Sequence, residues 1–267
     1  MPISTLSSNN LYDDGFARIV SDAAEVLEDA LASAGHDLYA RTFSWIKSLW
    51  DAGSPADYFM HPESYPILLL PWFLEKHING EPDKDFQAGL TYSSLNGYYG
   101  IRLVDNLMDG HGPPAFDLLP ALNFFHSQFQ MPYQRYFPYG HQFWESFTHF
   151  WHLTAEATMA DFSAIDITSE SFATVTARKT CAASIPVIAV CCKTGRLDLI
   201  APWTHVVDLF SRWHQMKNDT LDWKRDLDGG TCTYFLSEAG RRGLEGESAI
   251  EWSLREGLEW GFETVKE

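Results

Sequence analysis

The sequence is short of positive charge. Its 19 Lys and Arg stand against 36 Asp and Glu, a formal charge of −17. A chain that grips nucleic acid needs clustered cations to neutralise phosphates, so that partner class is excluded. Phosphate ligands are not excluded, because carboxylates hold a diphosphate once a divalent cation lies between them. Cysteine is scarce as well. Cys181, Cys191, Cys192 and Cys232 form no CxxC pair and no metal-ligand spacing. With no signal peptide at the start, they read as reduced thiols of a cytoplasmic protein. Long apolar runs are missing too. The longest, residues 67–74 (ILLLPWFL), is too short to cross a membrane and contains Pro71, so a soluble protein without a transmembrane segment is expected. There is no GxSxG, Walker loop, GxGxxG or HExxH, which removes the corresponding hydrolase, nucleotide and zinc-protease templates.

What is there is helical periodicity, without convincing strand alternation. Over residues 11–34, Phe16, Ile19, Val20, Ala23, Val26, Leu27 and Leu31 fall at helical spacing, and Gly35 supplies a stop. A helix follows over 37–50. Residues 61–77, punctuated by Pro62, Pro66 and Pro71, read as two short or kinked helices. A longer helix over 85–109 stops at Gly110-His111-Gly112-Pro113-Pro114, the strongest breaker in the chain. Further helices are expected over 116–136, 141–162, 169–192, 200–227 and 249–266. No repeat or linker divides the chain. The expected architecture is one all-α domain over 1–267 with about eight to ten helices and frayed residues 1–10. Aromatics reach 15%, which fits either a large aromatic core or a ring-walled cavity for a greasy or cationic guest.

Two acidic segments carry the chemistry. In the first, Tyr98, Arg102, Asp105 and Asp109 are spaced by four, three and four, so they share one helix face. Two carboxylates one turn apart repel, and a cation should sit there; Arg102 offsets part of the charge and a divalent metal would offset more. In the second, Gln215, Asp219, Asp222 and Asp226 repeat the four-three-four spacing, while Asn218, Asp222 and Asp226 fall at four and four. Three oxygen ligands then stack along one side of a helix, with Lys224 and Arg225 beside them. All-oxygen ligands suit magnesium. The plain alternative for both is a solvated charged face. Against it, Trp213 and Trp223 flank the second segment, and Val206, Val207, Leu209 and Phe210 leading into it read as buried.

The pair resembles the two aspartate-rich motifs of the class I isoprenoid synthases: trans-prenyl diphosphate synthases, squalene and phytoene synthases, and class I terpene cyclases. Asp105-Asn106-Leu107-Met108-Asp109 is similar to the first DDxxD motif, with Asn at its second position. Gln215-Met216-Lys217-Asn218-Asp219-Thr220-Leu221-Asp222 is similar to the second prenyl synthase motif, and Asn218, Asp222 and Asp226 fit the cyclase metal triad. Arg178-Lys179-Thr180, about 40 residues earlier, resembles the Lys-Thr pair that holds a diphosphate in prenyl synthases. The likeness runs from about residue 61 to 236. Three features depart from it. The Gly-Lys-x-x-Arg-Pro segment that binds isopentenyl diphosphate is missing, its region offering only Arg41, Lys47 and HPESYP. Asn106 removes a charge from the first motif, and no terminal Arg-Tyr pair is present.

The resemblance implies a single helical bundle around a central cavity. It assigns magnesium, more than one ion per site, to Asp105, Asp109, Asn218, Asp222 and Asp226, with Asp219 as a ligand or a partner behind the ligands. Arg102, Arg178, Lys179, Thr180, Gln215, Lys224 and Arg225 become diphosphate contacts, and Tyr98 and Tyr99 border the cavity. Gly97 and Gly100 would leave room for a long chain. Phe147, Phe150 and Trp151 line it further or simply pack a core. The implied reaction is magnesium-dependent ionisation of an allylic isoprenoid diphosphate, then cyclisation or rearrangement. Transfer of the allylic group to an acceptor other than isopentenyl diphosphate is the alternative, and a non-catalytic helical protein with a degenerate site is the third. A homodimer is compatible with all three.

Overall fold

The structure, a computed structural model, describes residues 13–49, 54–60, 67–108 and 116–264. Every regular element among them is helical. In chain order these are α1 (Asp14–Ala34), α2 (His36–Ser48), α3 (Pro55–Phe59), α4 (Leu69–Asn79), α5 (Lys84–Met108), α6 (Ala121–Gln134) and α7 (Phe143–Phe162). Then follow α8 (Ser169–Thr174), α9 (Ser184–Thr194), α10 (Ile200–Leu221), α11 (Trp223–Gly229), α12 (Tyr234–Arg241), α13 (Glu247–Trp252) and α14 (Leu258–Thr264). The expected Pro62–Pro66 kinks, the Gly110 breaker and Asp109 lie outside the described residues.

The chain divides into two compact units, Met1–Glu145 with Ile185–Ile200, and Ser146–Ser184 with Ala201–Glu267. The first is built on α1, α2, α5 and α6. Asp13 caps α1 by accepting from the Gly15 N–H at 2.8 Å, and it pairs with Lys76 at 2.9 Å, which holds its carboxyl below the usual range. Gly35 ends the helix at φ 143°, a conformation that favours glycine. The apolar stripe of α1 (Phe16, Val20, Leu27, Leu31) packs on Leu95, Tyr99 and Leu103 of α5 and on Phe43 and Ile46 of α2.

Helix α6 lies close against α5 because α5 has glycines where it passes. A Cβ on Gly97 would stand 2.9 Å from the Phe129 ring, and one on Gly100 would stand 3.5 Å from Phe125 Cβ. The two glycines therefore admit α6 and leave no room for a substrate chain, which corrects the sequence expectation.

The second unit differs from expectation in three places. Residues 169–192 are not one helix: the β-branched run Thr174-Val175-Thr176 ends α8, with Val175 at φ −123° and ψ −72°. A tighter 3₁₀ segment, Thr176–Ala183, then leads into α9, where Pro186 falls in the first turn and its missing N–H leaves no bond unmade. By length and composition Ser169–Thr194 could cross a membrane, but 67% of its apolar window is buried within the protein, as in a core helix. The expected helix over 200–227 bends at Asp222 (φ −94°, ψ 2°). The C-terminal helix contains a π-helical turn, Ser253–Gly257.

Helix α12 was not expected. Thr233 caps it by accepting from the Leu236 N–H at 3.2 Å, and Gly243 follows it at φ 72°. It helps to build an aromatic core of Phe172, Tyr234, Phe235, Trp223 and Trp252.

Candidate functional site

The first acidic segment ends α5. Asp105 is half-buried, and Arg102 reaches it across one turn at 3.4 Å, a long contact for an ion pair. The neighbouring Asn106 Oδ1 is buried without a hydrogen-bond partner. Tyr99 is fully buried among Trp45, Phe59 and Phe125, and burial keeps its phenol protonated. Tyr98 is partly buried beside Phe59, its hydroxyl hydrogen-bonded to that of Tyr58. Both tyrosines are core residues of the first unit, which corrects their assignment to substrate.

The second segment spans α10 and α11. The bend at Asp222 preserves the helical register: the Asp222 N–H donates to Asn218 O at 2.8 Å, and the Asp226 N–H to Asp222 O at 3.1 Å. Asn218, Asp222 and Asp226 thus remain one turn apart, as the spacing predicts. One nitrogen of Arg225, Nη2, lies 2.8 Å from Asp222 Oδ2 and 3.6 Å from Asp226 Oδ1. A single cationic atom is therefore shared by the two carboxylates. Asp226 itself is buried at 6% exposure yet lines a cleft of about 530 Å³ with Ile165, Asp166, Cys232 and Arg241. Lys224 is exposed.

Asp219 goes elsewhere. It is 3% exposed, accepts from Gln215 Nε2 at 2.8 Å and from the Tyr234 N–H at 3.2 Å, and so ties α10 to the start of α12. With both oxygens engaged, Asp219 anchors α10 to α12, and Gln215 is its partner within α10. Burial raises its carboxyl to about 7 against the lowering by these two donors.

The Arg178-Lys179-Thr180 triplet sits on the 3₁₀ segment. Lys179 makes a 2.7 Å ion pair with Asp161 of α7, both side chains largely buried. Both charges also act on Asp219, so α7, the 3₁₀ segment and α10 meet in one polar interior. Helix α7 brings Thr154 and Thr158, at 4% and 7% exposure, and turns Met159 and Phe162 outward. Helix α10 does the same. It buries Ser211, Asp219 and Thr220 together with Val207 and Met216, while Asp208, Arg212 and Gln215, which continue the four-three-four spacing upstream of the motif, are partly buried. Its outward face shows Val206, Leu209 and Trp213. Of the apolar residues read as buried ahead of the motif, only Val207 is fully so.

No family model matches the chain, and no curated protein or solved structure matches it. The residues themselves are then the test of whether magnesium fits. Among the described residues no three His, Cys, Asp or Glu side chains form a metal-holding group. Magnesium, however, keeps most of its waters and is held by one or two carboxylates plus substrate phosphates. Asp222 and Asp226, converging on one cationic nitrogen, meet that requirement, and Asn218 adds a neutral oxygen in the same register. Sequence reasoning missed Asp161, Ser211 and Arg212. The signal for Arg212 was present in the spacing, since Asp208 and Arg212 extend the same stripe.

Proposed function

We propose that the protein ionises an allylic isoprenoid diphosphate with magnesium and then cyclises or rearranges the cation, within a helical bundle of the isoprenoid synthase type around a central cavity. The observation that carries this reading is the cation shared by Asp222 and Asp226, in the helical register that also holds Asn218. Asn218, Asp222 and Asp226 would hold the metal. Bound there, magnesium supplies stabilisation of the negative charge that builds on the leaving diphosphate.

The cations supply the rest. Arg102, Lys179 and Arg225 each rest on a carboxylate. Release of Arg225 from Asp222 and Asp226 frees a planar donor fork for phosphate oxygens. Lys179 and Arg178 present further charge from the 3₁₀ segment. Transfer of the allylic group to a second substrate is the second reading, favoured by Lys179-Thr180 and the Gln215, Asn218, Asp219 pattern.

Incubation with geranyl, farnesyl and geranylgeranyl diphosphates plus magnesium, followed by product analysis, tests both. Hydrocarbon from one substrate supports cyclisation, and turnover only with an added acceptor supports transfer. If no diphosphate is consumed and magnesium does not raise the melting temperature, the reading fails.

A further inference from the structure

The helix that carries the second acidic motif has a back as well as a front. Asn218 and Asp222 fall on one side of it, while Met216, Thr220 and Trp223, spaced by four and three, are buried on the other. Met216 and Trp223 enter the aromatic core with Phe235 and Trp252. Thr220 meets the C-terminal helix. A Cβ on Gly261 would stand 2.9 Å from Thr220 Cγ2 and 3.2 Å from Thr220 Cβ, so only glycine lets the two helices come this close. One residue earlier, the Trp260 ring lies 5.4 Å from the ring of Tyr234, whose N–H is bonded to Asp219. The C-terminal helix therefore touches the middle of the motif from behind, at Thr220 directly and at Asp219 through Tyr234.

The π-turn Ser253–Gly257 explains why glycine arrives there. Such a turn takes one residue more than an α-turn. Without it, the place against α10 would fall to Trp260, a ring in a gap with no room for a methyl. The turn is also where the helix can yield, since π-turns are rare and Leu254, Arg255 and Glu256 within it are exposed. Docking beyond it carries a cost. The Thr220 hydroxyl is buried without a hydrogen bond, a loss that undocking removes.

We propose that Leu258–Thr264 is a strap, hinged at the π-turn, whose docking on Thr220 and Tyr234 orders the acidic turn from Asn218 to Asp226. Docking and occupancy of that turn are then one linked equilibrium. A ligand there tightens the strap, and a loosened strap weakens the ligand by the same factor. Gly261 is a positioning residue and touches no ligand. That the ligand is magnesium with a diphosphate rests on the function proposed above; the strap does not.

Hydrogen exchange of single amides in the full chain, followed by NMR without ligand, is the test. Gly261→Ala drives a methyl into Thr220. The amides of Asp222, Asp226 and Tyr234 then exchange about tenfold faster or more, while that of Thr158 on α7 changes by less than about twofold. Thr220→Ala added to this variant removes the clashing Cγ2 and the unbonded hydroxyl, and protection returns. Trp260→Leu adds no bulk and gives up the ring contact with Tyr234; it speeds the same three amides about three- to tenfold. Should Gly261→Ala not fold, Trp260→Leu alone decides. Unchanged amides in the acidic turn, or an equal loss of protection at Thr158, overturns the proposal.

Magnesium with inorganic diphosphate separates the strap from the function. Binding that slows the amides of Leu258–Thr264, and that Gly261→Ala weakens about tenfold, supports the linked equilibrium. Binding that leaves those amides unchanged overturns it. If nothing binds while the acidic turn still answers to Gly261→Ala and Trp260→Leu, the strap stands and the isoprenoid reading falls.

Discussion

The two units solve opposite problems with the same element. In the first, α5 buries Leu95, Tyr99 and Leu103, and its glycines draw α6 against it. In the second, α7 and α10 bury Thr154, Thr158, Ser211 and Asp219 beside Phe147, Ala157, Val207 and Met216, while Val206, Leu209, Trp213, Met159 and Phe162 are exposed. An amphipathic helix normally turns its apolar stripe inward, where burial contributes about 25 cal/mol per Å². A helix that mixes polar with apolar groups on its buried face forgoes part of that gain and must satisfy the polar groups inside. Such a mixture is difficult to sustain for stability alone. It is the arrangement by which helical bundles build internal sites from facing side chains.

The largest effect that would break this contrast is on chemistry. Asp222→Ala removes a carboxylate that is 43% exposed and paired only within its own turn, so unfolding stability should change little. Turnover of a prenyl diphosphate should nevertheless fall at least ~100-fold, as expected when a group that stabilises developing charge is lost. Circular dichroism and product analysis on the same sample check both halves. Unchanged turnover would make the polar interior of the second unit a structural oddity.

The next contrast concerns two glycines. Gly97→Leu forces a side chain into the Phe129 ring, and overpacking of this kind should cost about 1–3 kcal/mol or more, read as a lower denaturation midpoint. Gly240→Leu on α12 meets nothing within 4 Å of its new Cβ. It should be neutral or stabilise by about 0.5–1 kcal/mol, because glycine is a poor helix residue. Equal destabilisation by both would show that the tight α5–α6 contact is not what distinguishes the first unit.

How far these features could be read in advance follows from the same contrast. The first unit obeys the amphipathic rule, so α1, with its periodic apolar stripe and Gly35, and α5, with its start near 85, were legible to within a few residues. The second unit breaks the rule. Val206, Leu209 and Phe210 read as buried because apolar residues are assumed to face inward, and α10 faces the other way. The spacing of Asn218, Asp222 and Asp226 was legible, because periodicity survives a bend that keeps the i→i+4 bonds. The destination of Asp219 was not, since the N–H of Tyr234 that claims it belongs to a short helix recognisable only from the Thr233 cap and Gly243. The split of 169–192 was written in three consecutive β-branched residues. The role of Gly97 depended on Phe129, distant in sequence, which no local pattern names.

The buried carboxyl of Asp219 offers a pH test of the polar interior. Its ordinary value of 3.8 is raised to about 7. The folded state then holds a proton that the unfolded chain releases between these two values. Stability contributed by protonated Asp219 is complete at the acid end and declines as pH rises toward about 7. Asp219→Asn, which cannot ionise, should flatten the dependence of unfolding free energy across that window, measured by denaturant titration at several pH values. An unchanged slope would mean that Asp219 is not desolvated as its burial indicates.

The smallest expected effect lies on the outward face of α10. Leu209 is 48% exposed and Trp213 is 38% exposed; the Trp213 ring touches only its own helix, with Phe210 at 5.2 Å and Lys217 at 5.9 Å. Burial energy scales with area removed from water, and both side chains keep far more of theirs in water than the core residues do. Leu209→Ser and Trp213→Ser should therefore cost no more than about 1–2 kcal/mol each, below the range of a core truncation. The opposite face gives the control. Ser211→Leu would force an apolar side chain among Asp208, Arg212 and Gln215 and should cost about 1–3 kcal/mol through overpacking. Denaturant titration of the three variants ranks them. If the serine substitutions outside cost more than the leucine inside, α10 is not turned this way in solution, and the polar interior loses its physical basis.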